Sequence, residues 1–357
     1  MSKEQTFKNE LDLISRMNGY GSLVHAQVDN IKGFNVNLNG SPSPKNKDHY
    51  GIAFFTRPDL NLSYNNIGVD RVLSTMLTDD ENSMARAIRV LLDPRGELKD
   101  RVSNLVDQNQ AFIPILTNSL ISMSGWPDMT LDTYTSKEGG YKESYSMVDG
   151  TAHIYNTFDI TATFQNIQGD PISLLFAIWL RYAAFVYDGT LAPYPDNLFQ
   201  NAIDYQTRIY RFVMDSNFRY VQKVAACGAA FPIANPLGAA FNYSNDGEWN
   251  TSNDQISVPF RCIGANYLDP ILFKEFNQVV QLHCVPMEDG NRSGSMKKID
   301  PQLEYESYGY IGGLLLNVLT HRLYPRVDPY TLELEWYALK EDYDESIEKL
   351  ESLKAIP

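Results

Sequence analysis

TFDITATFQNIQGDPISLLFAIWLRYAAFV, residues 157–186, holds a strand, a turn and a helix in one uninterrupted run. Phe158, Ile160, Ala162 and Phe164 alternate with Asp159, Thr161, Thr163 and Gln165. That is the period of a strand with one face in a core and the other in water. Gly169 closes the run, Asp170 is placed to cap a helix, and Pro171 suits the first helical turn, where its missing N–H costs nothing. From Pro171 to Tyr187 the only charge is Arg181. Leu174, Leu175, Phe176, Ile178, Trp179, Leu180, Tyr182 and Phe185 lie all round this helix instead of along one stripe, so it needs cover on every side. A lone domain seldom supplies that cover. The pattern therefore predicts subunit contacts on Leu175, Ile178, Trp179, Tyr182 and Phe185.

At 357 residues the chain is long enough for a large core, as one domain with insertions or as two smaller ones. Its formal net charge of −14 argues against sequence-independent nucleic-acid binding, which needs clustered Lys and Arg to neutralise phosphates. Cys227, Cys262 and Cys284 are odd in number and lack C-x-x-C spacing, which predicts buried thiols and neither a disulfide framework nor a zinc site. The start MSKEQTFKNELDLISRM is polar where a signal peptide needs an apolar core, so the expected location is inside the cell. The apolar run at 174–186 is too short to span a membrane and contains Arg181.

Outward from the opening stretch, YGIAFFTRPDLNL (50–62) reads as a strand ending in a turn. Residues 69–106 turn helical, with Thr78 or Asp79 as cap, Met84, Ala87, Ile88 and Leu91 on one face, and Asp93-Pro94 as terminator. Residues 113–165 return to strand character through IPILTNSLISMSG, TLDTYTS and YKESYSM, a run of antiparallel hairpins. DYQTRIYRFVMD, QKVAACGAA and QISVPFRCIGANY supply further strands, the last placing Ile256, Val258, Phe260 and Cys262 on one face. Pro259, lacking an N–H, belongs at an edge or with its nitrogen out of the ladder. A helix from about Asp269, a strand in TLELEWYAL and a charged helix over 341–354 complete the chain.

Signatures of chemistry are sparse. His25, His49, His153, His283 and His321 show no helical ligand spacing, and Asp79-Asp80-Glu81 reads as the acidic start of a helix before it reads as a cation site. No G-x-S-x-G elbow, Walker lysine or H-E-x-x-H occurs. Glu333 and Glu335 share one face of a strand and are the candidates for paired-carboxylate hydrolysis, although alternation with Leu332, Leu334 and Trp336 points to a solvated face first. No catalytic, cofactor-binding or metal residues are assigned, and no cofactor is expected. The 22 Tyr and 17 Phe are spread through strands and suit core and interface packing better than a stacking platform.

The order of elements over 113–268 resembles the tail-tube fold of contractile-tail bacteriophages and related injection systems. The resemblance rests on SMSGWPD (122–128), the extended hairpin TLDTYTSKEGGYKESYSMVDG (130–150), NTFDITATF (156–164), the helix from Pro171, and the closing strands from QKVAAC to CIGANY. It implies an α+β, mainly β fold: an antiparallel tail-tube-like β-barrel or sandwich with one packed helix. To this the chain adds an N-terminal extension (1–49), a helical insertion at about 66–110 within the β domain (50–268), and a C-terminal extension (269–357). The resemblance further implies a non-enzymatic virion protein of the tail, a tube or tube-adaptor subunit in a hexameric ring. Such rings are assembled in the host cytoplasm and stack into a conduit for DNA, and sheath or baseplate proteins are the expected neighbours. It adds Trp126 and Pro127 to the expected subunit contacts. The alternatives are a baseplate wedge or other virion structural protein and, from another class, a carbohydrate-binding module or glycoside hydrolase.

Overall fold

The computed structural model describes residues 50–95, 102–150, 156–215, 217–241, 254–299 and 322–354. The expected N-terminal extension and His25, His49, His153 and His321 lie outside them. The strands are β1 (Tyr50–Phe55), β2 (Leu120–Ser124), β3 (Thr133–Thr135), β4 (Ser146–Val148), β5 (Thr157–Gln165), β6 (Ile209–Met214), β7 (Val221–Pro232), β8 (Gln255–Tyr267), β9 (Met296–Ile299), β10 (Tyr324–Val327) and β11 (Leu334–Leu339). The longer helices are α1 (Met84–Leu92), α2 (Pro171–Tyr187), α3 (Ile271–His283) and α4 (Lys340–Lys354). All strand pairs are antiparallel. The main sheet runs β1-β6-β7-β8-β5-β2, a second runs β10-β11-β9, and β3 and β4 pair only with each other.

The main sheet is rolled. In a flat sheet β1 and β5, four strands apart, would be separated by about 19 Å. Yet the Phe55 ring lies 5.9 Å from Phe164 on β5 and 5.8 Å from Phe260 on β8. The roll stays open among the described residues, because no ladder joins β1 to β2. Residues 111–113 run beside the end of β1 instead, with Ile113 N donating to Phe55 O at 2.9 Å. Pro114, expected within a strand, starts a single helical turn, Pro114–Asn118, that carries the chain across the gap to β2. The closed barrel is thereby corrected to an open roll within an α+β fold.

On β5 the expected alternation holds: Ile160, Ala162 and Phe164 are buried while Asp159 and Thr161 face out. β8 does the same with Ile256, Val258, Phe260 and Cys262. Pro259 sits in this interior strand, but its carbonyl accepts from Ile233 N at the very end of β7, so its missing N–H faces the place where that strand stops. α2 closes the concave side through Phe176, whose ring meets Phe164 at 5.8 Å and Phe260 at 5.7 Å. Asp170 takes the left-handed conformation before Pro171 and makes no side-chain cap; its carboxylate accepts from Asn166 Nδ2 at 2.6 Å. α1 packs on α2 and is capped by Ser83, whose Oγ accepts from Arg86 N at 3.2 Å, in place of the expected Thr78 or Asp79.

This arrangement corrects the reading of α2 as a helix short of partners. Leu175, Ile178, Trp179 and Tyr182 are all 0% exposed within the single chain. The roll covers one side of the helix, and Ile88, Leu91 and Leu92 of α1 share the same core. Arg181, the helix's one charge, forks onto Asp70 of the inserted block at 2.9 and 2.7 Å. Polar bonds hold that block in place. Arg57 threads between the end of α1 and residues 108–110, donating to the carbonyls of Leu91, Gln108 and Gln110 at 3.2, 2.7 and 3.0 Å. Burial lowers its pKa to about 10. Arg95 grips Asp59 at 3.2 and 2.9 Å, and Tyr194 donates to Asp93 at 2.9 Å.

The convex side of β1, β6 and β7 is buried too, by the C-terminal part of the chain. Phe276 of α3 lies 5.0 Å from Phe54, 4.8 Å from Phe112, 5.5 Å from Tyr210 and 5.0 Å from Phe212. The small sheet packs behind α3. Among the described residues no helix is long and apolar enough to cross a membrane.

Two outcomes follow from this packing. Trp179→Ala removes a fully buried ring and the bond from its Nε1 to Tyr205 O, 2.9 Å long. A loss of about 3–5 kcal/mol is expected in urea unfolding of the dilute monomer, and a loss seen only in assembled material would mean that the ring is covered by a neighbour. Asp204 is 3% exposed, and burial raises its carboxyl above the ordinary 3.8 despite the bond it accepts from Tyr182. A carboxyl raised in the fold holds its proton more tightly folded than unfolded, so stability falls as pH rises from 3.8 through the folded value. Asp204→Asn, which still accepts the Tyr182 hydroxyl, should raise the melting temperature at neutral pH, with the gain disappearing in acid.

Candidate assembly surface

Among the exposed apolar surfaces of the described residues, two bear on assembly. The first is the arm, residues 126–150. Gly125, at φ 104°, turns the chain out of β2, and a Cβ there would lie 2.2 Å from Asp159 O, so only glycine fits. Trp126 and Pro127 then seat the arm on the roll: the Trp126 ring is 6.1 Å from both Phe158 and Tyr267, and Tyr267 OH donates to Pro127 O at 2.6 Å. Both residues are half-buried within the chain. Beyond them the strands of the arm, β3 and β4, pair only with each other among the described residues. Met129, Leu131, Tyr134, Tyr145, Met147 and Val148 are exposed, and Tyr141 at the tip is 97% exposed. A two-stranded ribbon of this kind is marginally stable alone.

The second surface is the outward stripe of α2. With Leu175, Ile178, Trp179 and Tyr182 inside, the side left toward solvent carries Leu174, Ala177, Leu180, Arg181, Ala184 and Tyr187. Tyr187 is 94% exposed. Of the contact residues expected on the helix, Phe185 alone reaches this side, half-buried under the Arg181 guanidinium, 5.1 Å from the ring centroid. The stripe was missed because a helix apolar all round gives no phase. The small residues Ala177 and Ala184, spaced for one face, were the available signal.

Glu333 and Glu335 sit at the join between the small sheet and the β6–β7 turn. Glu335 accepts from Lys298 Nζ, Arg326 and Tyr337 OH at 2.8, 2.8 and 2.9 Å, and Glu333 from Arg219 at 3.0 Å and Lys298 at 3.3 Å. Burial alone would raise the Glu335 carboxyl, but Lys298, Tyr337 and Arg326 together hold it below 4.5. A general acid needs the opposite shift. Among the described residues no cluster of His, Cys, Asp and Glu could hold a metal ion.

Over residues 2–353 the chain matches the family model described as "Putative phage tail tube protein". The chain belongs to this family. Membership gives it a structural role in the phage tail. Solved structures with partial similarity include the tube-terminating cap of the anti-feeding prophage, at TM-score 0.27 and 13% identity over 44% of this chain and 82% of that one. The sheath/tube terminator and the sheath–tube complex of the PVC extracellular contractile injection system both reach TM-score 0.25 and 12% identity over 44% of this chain, covering 87% and 82% of theirs. No curated protein matches the chain.

The ion cluster is one place where acid is expected to weaken the fold. A carboxyl held below its unfolded value of 4.5 contributes stability above that value and loses it as pH falls through the folded one. Acid melts of Glu335→Gln should show a shallower fall below pH 4.5 than the parent chain; parallel curves would show that Glu335 contributes none of the acid sensitivity.

Proposed function

We propose that this protein is a tube or tube-adaptor subunit that assembles through its arm and the outward stripe of α2 into rings, hexameric by family resemblance, which stack into the conduit of the tail. The arm carries this proposal. A ribbon of three residue pairs, with Tyr134, Tyr145, Met147 and Val148 in solvent, gains too little from its own contacts to hold its shape. A neighbouring subunit is the cover that a ring supplies. We take 50–268 as the tube-like domain and 269–357 as an extension, whose described helix α3 and small sheet lie over the convex face.

The wet face of β5 and β8 is the surface suited to the lumen. It presents Asp159, Thr161, Thr163, Gln165, Ser257 and Arg261, and its one arginine is paired with Asp159 at 2.8 Å. A hydroxyl-rich wall without unpaired cations lets DNA slide past, since retention would need phosphate neutralisation. Sheath or baseplate proteins then meet the remaining outer surface of the virion tail, after assembly in the host cytoplasm.

Negative-stain microscopy of concentrated protein tests the proposal: rings or short tubes are expected, and a compact monomer at every concentration overturns it. Ala184→Glu with Tyr187→Glu places charge on the exposed end of the outward stripe without touching the core. Rings should be lost while the monomer's melting temperature stays within a degree or so, because surface substitutions cost little.

A further inference from the structure

We propose that the open end of the roll beside the arm is a carboxylate-binding site, and that its occupant is Glu138 from the arm tip of a second copy of this chain. The proposal rests on the ring reading and adds its chemistry. A cavity of about 370 Å³ opens there, with Pro127, Asp128, Arg211, Lys223, Ala225 and Tyr267 among its walls. Arg211 alternates on β6 with Tyr210 and Phe212, which face the C-terminal layer, so its side chain turns with Ile209 to the concave side of the roll. Its partners across the ladders are Ala53 and Ala225, both small. The guanidinium also lies against Gly51, where a Cβ would stand 1.9 Å from Nη1. Glycine at 51 is what makes room for it.

Most other described arginines are matched where they stand, and Arg71 stands in water. Arg95, Arg181, Arg208, Arg219, Arg261 and Arg326 each reach a carboxylate, and Arg57 a set of carbonyls. Arg211 donates at 3.1 Å to the carbonyl of its own neighbour, Phe212, and among the described residues it has no ion pair. Burial lowers its pKa, with no opposing carboxylate to restore it. A half-buried guanidinium with most of its N–H fork unused is the group that binds a carboxylate through two parallel bonds.

The choice of occupant follows from charge and from the arm. This chain carries 44 acidic against 30 basic residues, so a second copy brings carboxylates wherever it touches. Asp128 on the rim of the same cavity repels a polyanion such as a nucleic-acid strand more strongly than a single side chain. The arm starts at that rim, β3 and β4 pair only with each other, and the tip residues 136–143 are not among the cavity's walls. At the tip Glu143 is engaged locally, accepting from Tyr141 N at 2.7 Å, whereas Glu138 is exposed with no described partner.

The test compares ring yield, by light scattering and negative-stain microscopy, for the full chain, Arg211→Glu, Glu138→Arg and the double variant. Each single change should cut ring yield about tenfold or more, the size of a lost ion pair of ~1.4 kcal/mol, and the double variant should recover it. Failure of the unmodified chain to form rings would defeat the tube proposal itself. Rings from the unmodified chain and equally from Arg211→Glu would overturn this site alone, as would single losses that the double change does not restore. Circular dichroism checks the fold of each variant. Should Arg211→Glu unfold, Glu138→Arg at the exposed tip decides: normal rings overturn the pairing, lost rings support it. Binding of short single-stranded DNA that disappears in Arg211→Glu would make the occupant a phosphate and overturn the proposal.

Discussion

A helix that is apolar on all sides has to be enclosed on all sides, and most of this architecture is the means of enclosing α2. The main sheet rolls until β1 meets β5 and β8 over Phe176. α1 lies on the side that the roll leaves open. The inserted block that carries α1 is in turn tied down by Arg57, by Arg95 with Asp59, and by Arg181 with Asp70. These polar bonds add little individually. Their effect is positional, because a displaced α1 would expose Ile88, Leu91 and Leu92 together with the face of α2 beneath them.

The same logic makes the two halves of the sheet unlike. Away from the open end of the roll, β1, β6 and β7 are buried on both faces, with α2 on one side and α3 on the other, and β6 accordingly reads as a nearly continuous apolar strand broken by Arg211. β5 and β8 keep one wet face and the clean alternation that goes with it. A protomer with one convex half sealed and the other hydrated has a direction built into it. On the ring proposal that direction turns the hydrated half inward and the sealed half toward the rest of the tail.

Periodicity made much of this legible before any coordinates. The strand, turn and helix of 157–186, the thirteen residues of β8, the paired strands of the arm, α3, β11 and the terminal helix all announce themselves by spacing. What it concealed were relations between segments. The apolar face of α1 was visible as a face, but nothing local says that it covers α2. Four of the seven expected contact residues, Leu175, Ile178, Trp179 and Tyr182, are therefore core. IPILTNSLISMSG has strand composition, yet Pro114 cannot donate to a ladder and the segment must cross a gap, so a helical turn forms first. β9 and β10 are four residues each, too short for a period to show.

The contrast between α2 and the arm bears on how such a subunit assembles. Had α2 waited for a neighbour, the monomer would carry an open core and aggregate. With α2 sealed by its own chain, the ring proposal needs only the arm and one narrow stripe for association. The arm's three residue pairs do not offset the entropy of ordering it, so its contacts are worth most when a second surface holds it. Association through such an element is weak for a pair of free subunits, and it strengthens when several arms are held at once by ring closure. On the ring proposal, a monomer whose core is already sealed joins a ring that is favoured only as a whole.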